Sequence, residues 1–238
     1  MNILIVHAHP EPRSFSAALK DTAVEVFGQQ GHVVQVSDLH AMQFNPVAST
    51  ADFTSRANPD YCVYALEQRH AVSTGTLRKD IQEELEKLRW CDLLVLNFPI
   101  FWYGPPAILK GWIDRVFVSG VTYGGKRFYD RGGLVGKRAL VSVTLGGQQH
   151  MFGPRGIHGP LEDMLKPLLQ GTLGYTGFSV HHPFIGWHIP YLDDSQRATV
   201  LQDWRTRLMN LHAEQDWCPQ PTLNDFDDRL YPREGSVS

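Results

Sequence analysis

Two short runs with nothing but apolar side chains, Ile3-Leu4-Ile5-Val6 and Leu93-Leu94-Val95-Leu96, restrict this chain more than any other feature. A strand that is apolar on both faces must be covered on both faces, which is the situation of a parallel sheet sandwiched between helices. Ala139 to Val143 repeats the pattern, and Phe178 to Val180 gives a shorter version. Val33 to Val36 is less uniformly apolar and suits a strand at the sheet edge. Helix-period segments lie between these runs. Phe15, Leu19, Val26 and Phe27 mark a helix from Phe15 to about Gln29, closed by Gly31. Ile81, Leu85 and Leu88 mark a second, within Leu77 to Trp90, and Pro106 to Val118 carries a third. Leu161, Met164, Leu165, Leu168 and Leu169 mark a fourth, bent at Pro167. Ala198, Leu201, Trp204, Leu208 and Leu211 mark a closing helix. Leu39 to Gly75 holds Asn45-Pro46 and Asn58-Pro59 and little periodicity, so it is expected to be a long irregular loop, functional or packed. The expectation is an α/β, doubly wound, five-stranded parallel sheet over residues 1–215, followed by an irregular proline-rich tail, 216–238.

A length of 238 residues fits one domain of this type. A net charge of -3 argues against a nucleic-acid partner. Cys62, Cys91 and Cys218 are scattered without metal-ligand spacing, which points to a reducing compartment and no metal site. The first residues, MNILIVHAHPEPRS, have no basic start and too short an apolar run for a secretory signal. The longest apolar stretch, Leu93 to Tyr103, is broken by Asn97 and Pro99 and falls short of the roughly 20 residues that cross a bilayer. A soluble cytoplasmic protein with no integral membrane segment is therefore expected. Aromatic residues make up 11% of the chain, enough to ask whether they serve the core, an interface or a pocket for a flat ligand.

In doubly wound sheets ligands sit outside the carboxyl ends of the strands, so three loops carry the functional expectation. After the first strand, His7 to Ser16 runs into a helix start where Ser14 and Ser16 suit the N-cap and backbone N–H groups suit a phosphate. No GxGxxG or Walker lysine occurs there, which weighs against a dinucleotide-binding Rossmann domain or a nucleotide triphosphatase. After the third strand come Phe101, Trp102 and Tyr103, then Gly104-Pro105-Pro106. Three successive rings at a strand end suit a planar ligand such as an isoalloxazine, or else an aromatic cluster of core or interface. After the fourth strand, Gly146-Gly147 permits close backbone approach, and His158 between Gly156 and Gly159 can donate a hydrogen bond or take a proton. Lys126, Arg127, Arg131, Lys137 and Arg138 either attract the 2′-phosphate of NADPH or form a solvated basic turn. Glu83, Glu84 and Glu86 are expected on a wet helix face.

The segments His9 to Ser16, SDLHAMQFNP from Ser37 to Pro46, FPIFWYGPPAILKGWIDRVF from Phe98 to Phe117, TLGG from Thr144 and GIHG from Gly156 together resemble the flavin-dependent NAD(P)H:quinone oxidoreductases of the DT-diaphorase type. The likeness runs to about residue 230. It implies a flavodoxin-like fold with sheet order 2-1-3-4-5, a homodimer, and FAD, with FMN less favoured, bound near the subunit boundary. It implies that His9, Ser14, Phe15 and Ser16 meet the flavin phosphates, and that Pro99, Ile100, Phe101, Trp102 and Tyr103 flank the isoalloxazine. Thr144, Gly146 and Gly147 are implied as backbone donors, Arg197 as a neighbour of the adenosine half, His158 as the catalytic residue, and Tyr123 and Phe152 as part of the substrate pocket. NAD(P)H would be the co-substrate, and a quinone or another planar acceptor would take the electrons in a two-electron ping-pong cycle. The chain departs from the family where a tyrosine normally accompanies the GIHG histidine: Phe152 stands there, and phenylalanine cannot donate a hydrogen bond. His150 and Tyr103 are the available replacements. Two other readings are an azo- or nitro-reductase, and an ancillary subunit of a potassium-efflux system.

Overall fold

Strands β1 (Asn2–His7), β2 (Val33–Asp38), β3 (Leu93–Pro99), β4 (Arg138–Thr144), β5 (Ser179–Val180) and β6 (Phe184–Gly186) form one parallel sheet in the computed structural model. Residues 1–217 and 219–233 are described; Cys218 and 234–238 lie outside the described residues. The order is β2-β1-β3-β4-β5, with β6 also paired to β4. Register runs Ile5↔Val36, Ile3↔Leu93 and Leu94↔Ala139. The expected fifth strand is split: β5 pairs with the start of β4 and β6 with its end, the break falling at residues 181–183.

The period of two along the apolar runs sorts their side chains onto two cores. Leu4, Val6, Leu94, Leu96 and Phe98 pack on one face with α3 (Lys79–Trp90), α4 (Ala107–Val116) and α5 (Leu161–Leu168). Ile3, Ile5, Leu93 and Val95 face the other way, against α1 (Phe15–Gln29) and α6 (Asp194–Met209). The aromatic side chains of Trp112, Phe117 and Trp204 are buried in this packing.

The stretch Leu39 to Gly75 corrects the sequence expectation, because it contains α2 (Tyr64–Thr74). This helix has no apolar stripe: its buried side chains are Glu67, Gln68 and Ala71. Glu67 accepts the backbone N–H groups of Ala57 and Asn58 at 2.8 and 3.0 Å. Gln68 accepts from Ser119 N–H at 3.2 Å. The same stretch is anchored by Arg115, 1% exposed, which donates to Asp52 at 2.8 Å and to the Asn45 carbonyl at 2.9 Å, and pairs with Asp80 at 2.9 Å. Burial alone would raise the Asp52 carboxyl, but hydrogen bonds from Arg115 and Tyr64 hold it below its ordinary value.

Glu84 is also corrected. It is fully buried rather than wet, and accepts from Trp112 Nε1 at 2.8 Å. The tail is irregular but anchored: Trp217 N–H donates to the Val180 carbonyl at 2.6 Å, and Leu223 is buried with its N–H on Asp130. Among the described residues no helix is long and apolar enough to cross a membrane.

Candidate active site

The carboxyl ends of β1, β3 and β4 are fixed by a buried polar chain. Asn97 Nδ2 donates to His7 Nδ1 at 2.8 Å and to the Ser16 carbonyl at 2.8 Å, while the Ser16 and Thr144 hydroxyls meet at 2.8 Å. Because an amide N–H points at Nδ1, the His7 ring must be neutral, with its proton on Nε2. Burial pushes the His7 pKa down to about 4, which agrees with that assignment. This chain locks the start of α1 onto the sheet edge, and Ser14, as expected, caps the helix by accepting from Ala17 N–H at 3.1 Å.

Above this floor lies a cavity of about 680 Å³. Four of its lining residues, His9, Ser14, Phe15 and Ser16, come from the β1–α1 segment. Pro99, Ile100 and Phe101 come from the loop after β3, Thr144 and Gly146 from the loop after β4, and Arg197 from α6. All ten carry expectations from the sequence. His9 Nδ1 accepts from Glu11 N–H at 3.0 Å, and burial holds the ring below its ordinary pKa, so its Nε2–H is a neutral donor. Arg197 Nε is buried and has no hydrogen-bond partner among the described residues. An orphaned guanidinium donor beside a helix N-terminus makes this part of the cavity suited to an anion.

The Gly146-Gly147 loop is held from behind by a turn that the sequence did not single out. His188, at φ 58°, faces the Gly146 carbonyl through Nδ1 at 2.8 Å and donates its N–H to the Gly147 carbonyl at 2.9 Å. Ile189 and Pro190 follow into the lining, and Asp194, Arg197, Ala198 and Leu201 face the cavity together. Their i, i+3, i+4, i+7 spacing was the available signal for a ligand-side face of α6.

Five expected residues form or flank a second group beside the cavity. Phe101 N–H donates to the Gly104 carbonyl at 3.0 Å, and Gly104 N–H returns the bond at 3.1 Å. This closes a two-residue turn whose central residues, Trp102 and Tyr103, have φ of 49° and 62°. Left-handed backbone at two bulky residues costs on the order of 1–3 kcal/mol each. Trp102 points outward, 97% exposed. Tyr103 turns back toward Phe152 and His158, with ring centroids 6.4 and 5.9 Å away. Phe152 lies between His158 and Trp187, at 4.9 and 5.4 Å. A Cβ on Gly147 would fall 2.6 Å from Phe152 Cε2, so this glycine makes room for the ring.

Two groups lie away from the cavity. Tyr123 does not line it: its carbonyl is fixed by Gly120 N–H at 2.7 Å, and its ring packs on Tyr175 at 6.0 Å. The contacts of the five basic residues fit the basic-turn reading rather than a phosphate site. Arg127 donates to the carbonyls of Gly120 and Val121, Arg131 to Asn224, Lys137 to the Arg89 carbonyl and Arg138 to the Glu214 carbonyl, while Lys126 pairs with Asp228. None lines the cavity. Among the described residues no group of three His, Cys, Asp or Glu could hold a metal.

A doubly wound parallel sheet in the order β2-β1-β3-β4-β5 with a cavity at its switch point defines a flavodoxin-like protein, and the chain belongs to that family: the flavodoxin-like fold profile matches residues 1–208. Its relatives narrow the class. It is 41% identical to the mouse (Mus musculus) ribosyldihydronicotinamide dehydrogenase [quinone] over 90% of this chain and 93% of the relative. It is 40% identical to NAD(P)H dehydrogenase [quinone] 1 of Cavia porcellus, over 89% of this chain and 77% of that one. A protein assigned as a quinone reductase from Klebsiella pneumoniae superposes with a TM-score of 0.93 at 37% identity, covering 98% of this chain and 94% of the other.

Proposed function

We propose that the chain is a flavoenzyme that moves a hydride from a dihydronicotinamide to a quinone in two half-reactions. The observation that carries this is the pairing of two ends in one 680 Å³ cavity: an anion end at the α1 start with Arg197, and a ring end at Pro99, Ile100 and Phe101. That volume lies within the roughly 300–1,000 Å³ typical of cofactor sites. When bound, a flavin supplies a two-electron store that takes the hydride and passes it on.

In this reading Ser14, Ser16, the neutral Nε2–H of His9 and the free Arg197 Nε hold the phosphates. Phe15 closes that end. Ile100 and Phe101 offer apolar surface to the rings, and Thr144, Gly146 and Gly147 offer backbone N–H groups to their polar edge. His158 stabilises the negative charge that arrives with the hydride. FAD is preferred over FMN on the family resemblance. NADPH and ribosyldihydronicotinamide are both candidate donors, given the relatives' activities. A second copy of the chain would cover the outward ring of Trp102, making a cytoplasmic homodimer. The ancillary-subunit reading is less favoured, because the Tyr103 hydroxyl, 3.1 Å from His158 Nδ1, offers a phenol where Phe152 has none.

The test is extraction. Denatured protein should release FAD, identified by chromatography, and sedimentation should give a dimer. A protein that is colourless and binds neither FAD nor FMN on incubation overturns the proposal.

A further inference from the structure

The missing family tyrosine has a replacement on the opposite loop. Tyr103 Oη lies 3.1 Å from His158 Nδ1. Both residues are exposed. Three further observations set this contact apart. The tyrosine is presented by a closed turn with left-handed backbone at Trp102 and Tyr103, a conformation such residues seldom hold unless the surroundings impose it. Phe152 stands against both rings and is backed by Trp187, which gives the imidazole an apolar wall. His158 N–H is bonded to the Met151 carbonyl at 3.0 Å, so its backbone is fixed and only the ring orientation is left to determine. His150, the other available replacement, is exposed on a separate turn, Gln149–Met151.

We propose that Tyr103 is the positioning residue of the reaction: its hydroxyl sets the orientation and tautomer of the His158 imidazole. This rests on the oxidoreductase reading above. In the net reaction the dihydronicotinamide loses a hydride and becomes the nicotinamide cation. The quinone gains that hydride and one proton and becomes the hydroquinone. The proton that completes the hydroquinone comes from water. His158, neutral and donating through Nε2–H, stabilises the negative charge that arrives with the hydride. With the hydroxyl donating into Nδ1 of the neutral ring, the remaining N–H sits on Nε2; without it, neither tautomer is enforced.

The test uses Tyr103→Phe, which keeps the ring and the turn, with a pair of measurements. In the full chain stripped of flavin, ¹⁵N shifts of the His158 ring report the tautomer. The wild type should show one dominant form and the variant a mixture. In the flavin-loaded protein, the rate of flavin reduction should fall by at least about tenfold, with the donor concentration at half-saturation nearly unchanged and a changed pH profile. Adding Phe152→Tyr to that variant, which returns a phenol to the family position, should recover part of the rate. An unchanged tautomer, or an unchanged reduction rate in Tyr103→Phe, overturns the proposal. Failure of the oxidoreductase reading looks different: the wild type itself would not be reduced, whereas the tautomer signal would still respond to the variant.

Discussion

Replacing Asn97 by Asp tests whether the site floor depends on the direction of its hydrogen bonds. The two side chains are nearly isosteric, so no cavity opens. In the native protein Asn97 donates twice, to His7 Nδ1 and to the Ser16 carbonyl, both at 2.8 Å. An aspartate cannot donate. It places a carboxylate against the Ser16 carbonyl and against a ring nitrogen that is unprotonated. Two lost bonds with two buried acceptors left unsatisfied cost about 2–4 kcal/mol. The pH dependence should then change direction. Wild-type His7 is held at about 4 against an ordinary 6.5, so the unfolded chain binds the proton first as pH falls. Stability contributed by the neutral ring is full above pH 6.5 and is lost between 6.5 and 4. At about 1.36 kcal/mol per unit, the full loss from His7 is roughly 3.4 kcal/mol. Asn97→Asp gives protonated His7 a partner and raises its folded value, so that contribution is present at low pH and lost as pH rises. Buried His181, also pushed down to about 4, contributes equally to both proteins and cancels. Urea unfolding of flavin-free protein at pH 8.0 and 5.5 measures this. The gap between wild type and variant should be about 2–4 kcal/mol at pH 8.0 and should narrow by at least about 1 kcal/mol at pH 5.5. A gap that is constant or widens on acidification refutes the hydrogen-bond direction assigned to His7.

Arg197→Gln should weaken flavin binding roughly 10- to 100-fold by fluorescence titration while leaving the melting temperature of flavin-free protein within about 2 °C, as expected for a half-exposed residue whose lost interaction is with a bound anion. Gly147→Ala should lower turnover with little change in flavin affinity, because its Cβ meets Phe152 at 2.6 Å and must displace the ring beside His158; unchanged kcat would contradict this. Arg115→Met leaves Asp52 and Asp80 facing an apolar side chain and should cost about 3–5 kcal/mol in chemical denaturation. A cost below about 1 kcal/mol would show that the Leu39 to Gly75 segment is anchored some other way.

The sheet was legible because its strands are buried on both faces, and a run such as Leu93 to Leu96 admits few other environments. α2 was not legible because the face it buries is Glu67 and Gln68, whose role is to accept and donate hydrogen bonds to neighbouring backbone. Periodicity of apolar residues carries no trace of such a face. Glu84 escaped for the same reason: its burial depends on Trp112, distant in sequence, for a partner. Of the site, the strand-end loops announced themselves through Ser14, the ring triplet and the paired glycines. The clasp by His188 depends on how the last third of the chain returns over the sheet, which local pattern does not encode. Tyr103 stood beside His150 as a replacement for the missing phenol, and only the turn that reverses it toward His158 separates the two.

Anaerobic stopped-flow on the flavin-loaded protein tests the central claim most directly. Mixing with NADPH or ribosyldihydronicotinamide should bleach the flavin absorbance in a single exponential whose rate saturates with donor, and a quinone added afterwards should restore it at a rate independent of the spent donor. Absorbance that persists with both donors, or that bleaches but does not return with quinone, would contradict the assignment.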